Sequence, residues 1–498
     1  MRSIIAVVSM LLVLSGGAPV TAQTYEQLSK WCYGDATDDQ TIQGCNALIK
    51  SGRETPQNQA FAFNNRGLAY HNKSQYDRAI EDFDQAIKLN PSYANAFDHR
   101  GLAYNKKSQY DRAIQDHDQA IKLNPKHAKA FNNRGVVYHN KGQYDRALQD
   151  YDQAIKLNPS YADSFFNRGD AYDRKGQYDR AIQDYDQAIK LNPKHADAFH
   201  NRGMAYSSKS QYDRAIEDYN QAIKLNPSYA KFYNRGIAYQ NKGQYDRAIE
   251  DYDQAIKLNP SNTNAVYRRG MAYYNKRQYD RAIQDFDQAI ELQPSHANAF
   301  QGRGMANMSK GQLDRALLDF DQAIMLNPSL PWAFYMRGVA RDLKGQYDSA
   351  IQDFDQAIKH NPSHASAFQS RCRARAMIDQ LQAALVDCNE SLRLSPSDAG
   401  MLNSRGFTYL KLGLFDIAIA DYDAALKINP NYADALFGRG VARRKKGDLA
   451  DGDADIAAAK AIKGDIAEVF AKSGVKDFGS SGNRVGDWGD HRARKACG

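Results

Sequence analysis

Histidines and aspartates are the side chains of this 498-residue sequence that could do acid–base chemistry. They recur at fixed spacing, as shown by the histidines His127, His195, His296 and His364 and by the aspartate pairs Asp82 and Asp84, and Asp150 and Asp152. A catalytic site is a single arrangement of unlike groups, whereas these groups repeat along the chain. We therefore interpret the histidines as one packing position and the aspartates as solvated faces and ion pairs, and we predict no catalytic residue.

Motifs for other chemistry are missing from the sequence. It contains no Gly-x-Gly-x-x-Gly, no Gly-x4-Gly-Lys-Ser/Thr phosphate loop, no His-Glu-x-x-His zinc motif and no Gly-x-Ser-x-Gly nucleophile elbow. The cysteines lack a nearby Cys-x2-Cys partner and a histidine set at ligand spacing. We therefore expect neither a cofactor nor a metal, and we predict that the protein is not an enzyme.

Prolines mark an internal repeat that organises most of the chain. Successive prolines lie 34 residues apart, except for one interval of 33, at Pro91, Pro125, Pro159, Pro193, Pro227, Pro260, Pro294, Pro328, Pro362, Pro396 and Pro430. Eleven units run over 60–432, and a degenerate twelfth unit with a capping helix follows over 433–476. A fixed period of this length predicts a solenoid of stacked units, because one unit cannot bury its apolar face alone.

Each unit has the pattern of two helices joined by a turn. In the first unit, Phe63 and Gly67 share one face of the first helix, and Phe83 lies on the apolar face of the second. Small residues such as Gly67 allow the two helices to approach closely while aromatic residues fill the space between them. The dipeptide Asn90-Pro91 predicts the end of the second helix and the start of the next unit, with asparagine as N-cap and proline as first helical residue.

This pattern resembles the tetratricopeptide repeat, which has an aromatic residue, Leu-Gly and Tyr in its first helix, then Ala-x3-Phe, Ala and Pro. The resemblance implies an all-α, right-handed superhelical solenoid of about 11–12 helix-turn-helix repeats. The sequence motifs Asn-Arg-Gly-x-Ala-Tyr and Tyr-Asp-Arg-Ala-Ile are similar to those in repeats of exported bacterial proteins of this family. One departure is that the usual leucine is arginine, as in Arg66 and Arg134. Because Asp82 and Asp150 lie opposite in the hairpins, we predict a ladder of partly buried Arg–Asp pairs that fixes register.

The resemblance also implies where a partner would bind. In this family the inner groove is lined by the second, fifth, ninth, twelfth and thirteenth positions of each first helix. The predicted partner-binding residues are Asn64, Asn132, Phe166, Tyr233, Tyr267, Tyr274, Trp332 and Tyr335. These aromatic residues, beside Met271, Met305 and Met308, suit an extended peptide or a partner helix. The alternative interpretation is packing between neighbouring first helices. The lysine and asparagine of the family's known clamp for a peptide carboxylate are absent.

Residues 23–59 are predicted to form an N-terminal helical cap. Cys32 and Cys45 flank a turn, and Thr37-x-x-Gln40 has the pattern of a capping box that opens a helix. A short helical hairpin closed by a Cys32–Cys45 disulfide would cover the apolar end of the first repeat.

A second cysteine pair interrupts the tenth unit. Cys372 replaces the first-helix glycine and Cys388 replaces the aromatic residue of the second helix, two positions that face each other in a hairpin. Two small buried residues or a disulfide both fit this placement, and we predict the disulfide. Cys497 is left over, as a free thiol or an intermolecular link.

The two ends of the chain carry other signals. Residues 1–22 combine a positive start, an apolar run over 4–14 and small residues before a cleavage site, which predicts a signal peptide and an exported, periplasmic or secreted, protein. The run is too short to cross a bilayer, and we expect no transmembrane segment. Residues 477–498 are Gly-rich and basic and are predicted to be a disordered tail.

Together these patterns predict a non-catalytic protein–protein interaction scaffold in the cell envelope that binds a peptide or partner protein in its concave groove. The net charge of +8 is too dilute to indicate nucleic acid. The alternative is a binder of anionic envelope polymer or of a membrane surface, through the basic C-terminal repeats that contain Arg371, Arg373, Arg375, Arg439 and 443–446. An enzyme subunit is a second alternative.

Overall fold

A computed structural model of the chain describes residues 23–475, and it divides into two compact units after Lys242. Within these residues all regular secondary structure is helical, and no strand is present. The signal peptide predicted over 1–22 and the tail predicted over 477–498, which includes Cys497, lie outside the described residues. No helix from residue 23 to residue 475 combines the length and the apolar character that a membrane span requires.

The first unit contains a helical hairpin and five and a half repeats, in each of which a first helix of 13 residues or more precedes a second helix of 14. The helices are α1 (Tyr25–Tyr33), α2 (Asp38–Ser51), α3 (Pro56–Asn72), α4 (Tyr76–Leu89), α5 (Ala94–Lys106), α6 (Tyr110–Leu123), α7 (Ala128–Asn140), α8 (Tyr144–Leu157), α9 (Ala162–Arg174), α10 (Tyr178–Leu191), α11 (Ala196–Ser208), α12 (Tyr212–Leu225) and α13 (Tyr229–Asn241). The odd-numbered helices from α3 onward are the first helices of their repeats.

The second unit continues the same alternation of first and second helices and closes with a short helix. Its helices are α14 (Tyr245–Leu258), α15 (Thr263–Asn275), α16 (Tyr279–Leu292), α17 (Ala297–Ser309), α18 (Leu313–Leu326), α19 (Pro331–Leu343), α20 (Tyr347–His360), α21 (Ala365–Met377), α22 (Leu381–Leu394), α23 (Ala399–Lys411), α24 (Phe415–Ile428), α25 (Ala433–Lys446), α26 (Leu449–Ile462) and α27 (Ile466–Lys472).

Glycine and aromatic residues set the distance between the two helices of a repeat. In the third repeat, a Cβ atom added to Gly135 would lie 2.7 Å from Cε1 of Tyr151, so only glycine lets the ring pack there. Ala147, Tyr151 and, from the next repeat, Ala171 form one buried cluster. The core of each repeat is therefore completed by the first helix of its neighbour, as a solenoid requires.

The connection between repeats differs from the sequence expectation. Asn90 is the C-cap of α4, and α5 begins at Ala94, so Asn90 does not cap the next helix and Pro91 is not helical. The Asn90 side chain instead accepts hydrogen bonds from the backbone N–H and the hydroxyl of Ser92, at 3.2 and 2.8 Å. This Asx turn uses the asparagine oxygen locally, which leaves none for a helix N-terminus.

Histidine provides the N-cap in four repeats. In each case Nδ1 accepts the backbone N–H three residues later, at 3.1–3.3 Å, in the pairs His127 and Ala130, His195 and Ala198, His296 and Ala299, and His364 and Ala367. Because Nδ1 is an acceptor here, the neutral ring carries its proton on Nε2. The recurrence of these histidines is structural, in agreement with the sequence interpretation.

The N-terminal hairpin has the predicted capping box. Thr37 Oγ1 accepts the N–H of Gln40 at 3.3 Å, and Gln40 Oε1 accepts the N–H of Thr37 at 3.0 Å. These two bonds fix the start of α2, whose Leu48 packs in one cluster with Ala62 of the first repeat.

Candidate partner-binding surface

Arginine links each repeat to the one before it. Arg168 donates through Nε and Nη2 to Asp184 of its own repeat, at 2.8 and 2.6 Å, and through Nη1 to Asp152 of the preceding repeat, at 2.6 Å. The predicted Arg–Asp pair within a repeat is confirmed. The second contact, which joins neighbouring repeats, was not predicted.

The same arrangement recurs along both units. Partners within a repeat include Arg66 and Asp82, Arg134 and Asp150, Arg269 and Asp285, and Arg439 and Asp455. The acceptor in the preceding repeat is usually an aspartate, but it is Asn220 for Arg235 and Asn389 for Arg405. For Arg66 of the first repeat, the acceptor is Asn46 on α2 of the N-terminal hairpin. Burial raises the pKa of Asp82, Asp150, Asp184 and Asp285, and their hydrogen bonds to arginine oppose that shift. Such periodic pairs are structural groups.

Two predicted partner-binding residues are buried between repeats. Asn64 is 2% exposed, and its Oδ1 lies 2.8 Å from Nδ1 of His99. Asn132 is also buried, and its Oδ1 accepts hydrogen bonds from Ser164 and Asn167 of the next repeat. In this structure both asparagines connect neighbouring first helices and present little surface to a partner.

Aromatic residues at the same fifth position are half-buried. Phe166, Tyr267 and Tyr335 each pack between the aromatic residue of their own second helix and the N-cap histidine of the next repeat. The ring centroids of Tyr335 lie 6.0 Å from Phe354 and 4.7 Å from His364. Phe166 makes the equivalent contacts with Tyr185 and His195. Tyr267 makes them with Phe286 and His296. Tyr233 differs, because its ring stacks on that of Tyr229. The alternative interpretation, packing between first helices, thus describes part of their surface.

The predicted residues are divided between the two units. Asn64, Asn132, Phe166 and Tyr233 belong to the first, whereas Tyr267, Tyr274, Trp332 and Tyr335 belong to the second. In the second unit Tyr267, Tyr274 and Met271 lie against one buried cluster, and Met305 and Met308 lie against another. The candidate surface of the second unit therefore runs over α15, α17 and α19.

Helix α19 exposes an apolar stripe. Trp332, Tyr335, Val339 and Leu343 are spaced by three, four and four residues, which places them on one helical face. Trp332 is 49% exposed and Leu343 is 59% exposed. Tyr335 and Val339 lie between them and are half-buried. An apolar stripe with two largely exposed ends is a surface that a partner can cover.

Sequence reasoning missed Val339 and Leu343. The thirteenth position of the first helix is polar in the preceding repeats, where it is Asn72, Lys106, Asn140, Arg174, Ser208, Asn241, Asn275 and Ser309. A comparison at this one position would have identified Leu343 as an exception.

Most basic residues of the C-terminal repeats are neutralised by aspartates. Arg375 and Arg371 both bind Asp387, at 2.7 and 2.5 Å. Arg443 and Arg439 both bind Asp455, at 2.9 and 2.6 Å. Arg373 contacts Asp342, Arg444 lies 3.3 Å from Asp453, and Lys446 pairs with Asp416. These residues do not form an uncompensated cationic patch.

The four cysteines within the described residues lie at disulfide distance in two pairs. The Sγ atoms are 2.08 Å apart for Cys32 and Cys45, and 2.01 Å apart for Cys372 and Cys388. All four are buried. Cys372 and Cys388 occupy the places of the glycine and the aromatic residue in the tenth repeat. In residues 23–475 no three histidine, cysteine, aspartate or glutamate side chains are grouped as metal ligands.

These features define an all-α repeat solenoid. Family models of the tetratricopeptide repeat match residues 60–93, 128–161, 196–229, 231–262, 264–296, 331–364 and 399–432, and related models of the same repeat match 101–142, 169–210, 150–183 and 297–330. Together they cover more than half of the chain, which therefore belongs to the tetratricopeptide repeat family. Proteins with these repeats generally mediate protein–protein interactions.

The chain is similar in part to several solved structures. YrrB, a TPR protein with an unusual peptide-binding site, is 27% identical over 37% of this chain and 95% of its own, with a TM-score of 0.34. Yeast Tom70 is 15% identical over 78% of this chain and 96% of its own, with a TM-score of 0.40. Pseudomonas aeruginosa pilF is 19% identical over 41% of this chain and 94% of its own, with a TM-score of 0.38. No curated protein matches the chain significantly.

Proposed function

We propose that the protein is a non-catalytic interaction scaffold that binds an extended peptide or a partner protein on the first-helix surface of its seventh to ninth repeats. The observation that carries this proposal is the apolar stripe of α19, where Trp332 and Leu343 are 49% and 59% exposed. Binding would remove these side chains from water, and large aromatic residues are frequent anchors in interfaces.

Neighbouring methionines support the same surface. Met305 and Met308 of α17 are partly exposed and pack beside the core cluster of their repeat. Methionine is flexible and polarisable, and it adapts to partners of irregular shape. We therefore place the partner across α17 and α19, with the rings of Tyr267 and Tyr274 on α15 extending the surface.

The alternative, binding of an anionic envelope polymer or membrane surface, has less support. The arginines of the C-terminal repeats are engaged by aspartates, as Arg375 and Arg371 are by Asp387. Binding that depended on these cations would weaken steeply as salt is raised, whereas apolar anchoring would change little.

We also propose that the protein works outside the cytoplasm, periplasmic or secreted. The support is the leader-like sequence of residues 1–22 together with two buried cysteine pairs at disulfide distance. Fractionation of cells that express the full chain tests this point. A cytoplasmic protein with reduced cysteines would refute it.

The binding proposal is tested by affinity capture from an envelope extract. The first variant combines Trp332→Ala with Leu343→Ala. The matched control combines Leu318→Ala with Met325→Ala, because these residues of α18 are 69% and 66% exposed and lie on a second helix. We expect a partner that is retained by the wild type and the control and is lost from the first variant. If the wild type, the control and the first variant are all folded and capture the partner equally, the α19 stripe is not part of the binding surface.

A further inference from the structure

The turn inside the seventh repeat differs from the turns of the other repeats. Each turn contains one residue with positive φ, and in the seventh repeat this residue is Arg277, at φ 58°. The other repeats have glycine, serine or aspartate there, namely Ser74, Ser108, Gly142, Gly176, Ser210, Gly243, Gly311, Gly345, Asp379, Gly413 and Gly447. The backbone of this turn favours glycine, which has no Cβ atom. The arginine therefore needs another explanation than the turn itself.

Arg277 lines a cavity where the seventh repeat meets the eighth. The cavity has a volume of about 270 Å³, and its walls are formed by Arg277, Gln278, Tyr279, Asp280, Arg281 and Lys310. Three cations and one carboxylate give it a formal charge of +2. Equivalent cavities of the first unit have a formal charge of +1, from Arg180, Lys209 and Asp179 in one and Arg214, Lys242 and Asp213 in the other. Arg277 therefore makes the cavity of the seventh repeat more cationic.

Two of the three cations have no acidic partner. Lys310 pairs with Asp280, which neutralises both groups. Arg281 donates through Nη1 to Oε1 of Gln278 at 3.3 Å, and its guanidinium lies over a tyrosine ring, 5.6 Å from the centroid. Neither of these partners is charged. Within residues 23–475 neither Arg277 nor Arg281 forms an ion pair, and both side chains are exposed. An anion from solvent can therefore reach both guanidinium groups.

The cavity adjoins the proposed partner-binding surface of the second unit. Tyr279 lines the cavity, and its ring centroid lies 5.7 Å from that of Tyr274 on α15. The hydroxyl of Tyr274 lies 3.4 Å from Oγ of Ser309 on α17, and Lys310 of the cavity follows Ser309 directly. A polypeptide that covers α15 and α17 can therefore place a neighbouring side chain in the cavity.

The chemistry of the cavity selects an oxyanion. A guanidinium group has five N–H donors and no acceptor, and its planar fork matches the two oxygens of a carboxylate. A cation would be repelled by the formal charge of +2, and an apolar group would take water from the guanidinium groups without replacing its hydrogen bonds. In a polypeptide, the side chains that carry an oxyanion are aspartate and glutamate.

We infer that the cavity formed by Arg277, Arg281 and Lys310 binds a carboxylate of an aspartate or glutamate in the partner polypeptide. The inference rests on the proposed function, since it takes the occupant to be a polypeptide on the first helices of the second unit. It adds a charge to the description of the partner, which carries an acidic residue beside the segment that covers α17 and α19.

The direct test is an NMR titration of the full chain with ¹⁵N-labelled arginine, followed through the Nε–H signals. The probes are a short Ser/Ala peptide, blocked at both ends, with two central glutamates, the same peptide with glutamines, and inorganic phosphate. Arg277→Gly and Arg281→Gln assign the signals. Arg277→Gly should fold, because glycine is the residue of the same turn in six other repeats. Arg180→Gln is the matched control, since it removes the exposed arginine of an equivalent cavity.

We expect the glutamate peptide to shift the Arg277 and Arg281 signals saturably, with no saturable shift at Arg180 and none from the glutamine peptide. Arg277→Gly should bind the glutamate peptide roughly fivefold more weakly, whereas Arg180→Gln should bind it as the wild type does. An equal shift at Arg180, or an unchanged affinity of Arg277→Gly, would overturn the site. Saturable binding of phosphate without binding of the glutamate peptide would overturn the choice of a polypeptide carboxylate.

Partner capture separates this inference from the proposed function. The variant Arg277→Gly, Arg281→Gln is compared with Arg180→Gln and with Trp332→Ala, Leu343→Ala. Weaker capture by the arginine double variant, with capture by Arg180→Gln unchanged, supports the carboxylate site. A partner that the arginine double variant retains fully but Trp332→Ala, Leu343→Ala loses would overturn the inference and leave the proposed function intact.

Discussion

Replacing Arg168 by methionine should open the fourth repeat locally. The substitution keeps much of the side-chain length but removes both hydrogen bonds to Asp184, at 2.8 and 2.6 Å, and the bond to Asp152. Asp184 side-chain exposure is only 6%, so its carboxylate would remain buried without a cation. The loss should therefore be much larger than for a surface ion pair.

The structure sets the size of the effect. Breaking a buried ion pair by removing one partner costs about 3–5 kcal/mol. The Arg168 side chain is 21% exposed, so water reaches it in part and the lower end of that range applies, about 3 kcal/mol. The bond to Asp152, whose side chain is 56% exposed, adds at most about 0.5 kcal/mol.

The effect should depend on pH. Burial already raises the folded-state pKa of Asp184, and removal of Arg168 raises it further above the unfolded value. A carboxyl with a raised folded pKa binds its proton more readily in the folded state. The free energy of unfolding of the variant therefore increases as pH falls through that raised pKa. The difference from wild type should be largest at neutral pH and should shrink on acidification.

Hydrogen exchange of the amides in α9 and α10 is the appropriate assay, because repeats open locally and the whole chain need not unfold in two states. Arg180→Met is the matched control, since Arg180 is exposed on α10, and its effect should stay below about 1 kcal/mol. Adding Asp184→Leu to Arg168→Met should recover most of the loss. The reasoning fails if exchange is unchanged, or if the double variant is no more stable than the single one.

Two further predictions concern packing inside repeats. Gly135→Ala should lower the stability of α7 and α8 by about 1–3 kcal/mol, measured by local exchange, because the new methyl group would meet the ring of Tyr151; an unchanged rate would contradict this. Cys372→Ala with Cys388→Ala should destabilise the tenth repeat by about 3 kcal/mol in thermal unfolding, for a pair 16 residues apart. Cys372→Gly with Cys388→Phe restores the pairing of other repeats and should recover part of the loss; no recovery would show that the glycine–aromatic fit is not transferable.

Features that depend on one repeat could be predicted from the sequence. The two helices, the contact of Gly135 with Tyr151 and the pair of Arg134 with Asp150 all follow from helical period within a single hairpin. The capping box at Thr37 is local as well. Each involves residues whose separation along the chain fixes their separation in space.

Features that depend on how neighbouring repeats stack could not be predicted from the sequence. The bond from Arg168 to Asp152 requires the rotation between adjacent repeats, which no pattern within one repeat contains. That rotation also turns Asn132 toward the next first helix and buries it. Asn90 was assigned the wrong role because Asn-Pro fits both a helix start and an Asx turn, and only the backbone path decides between them.

The two neutral acceptors that lie between repeats in the arginine series, Asn220 and Asn389, have a mechanical consequence. Most junctions between repeats carry a bond from arginine to a charged aspartate, but Asn220 replaces it between α12 and α13, and Asn389 replaces it between α22 and α23. A linear array of unequal couplings separates first at its weakest coupling. Under tension applied at its ends, the chain should therefore yield in blocks, with the first extensions at these two amide junctions.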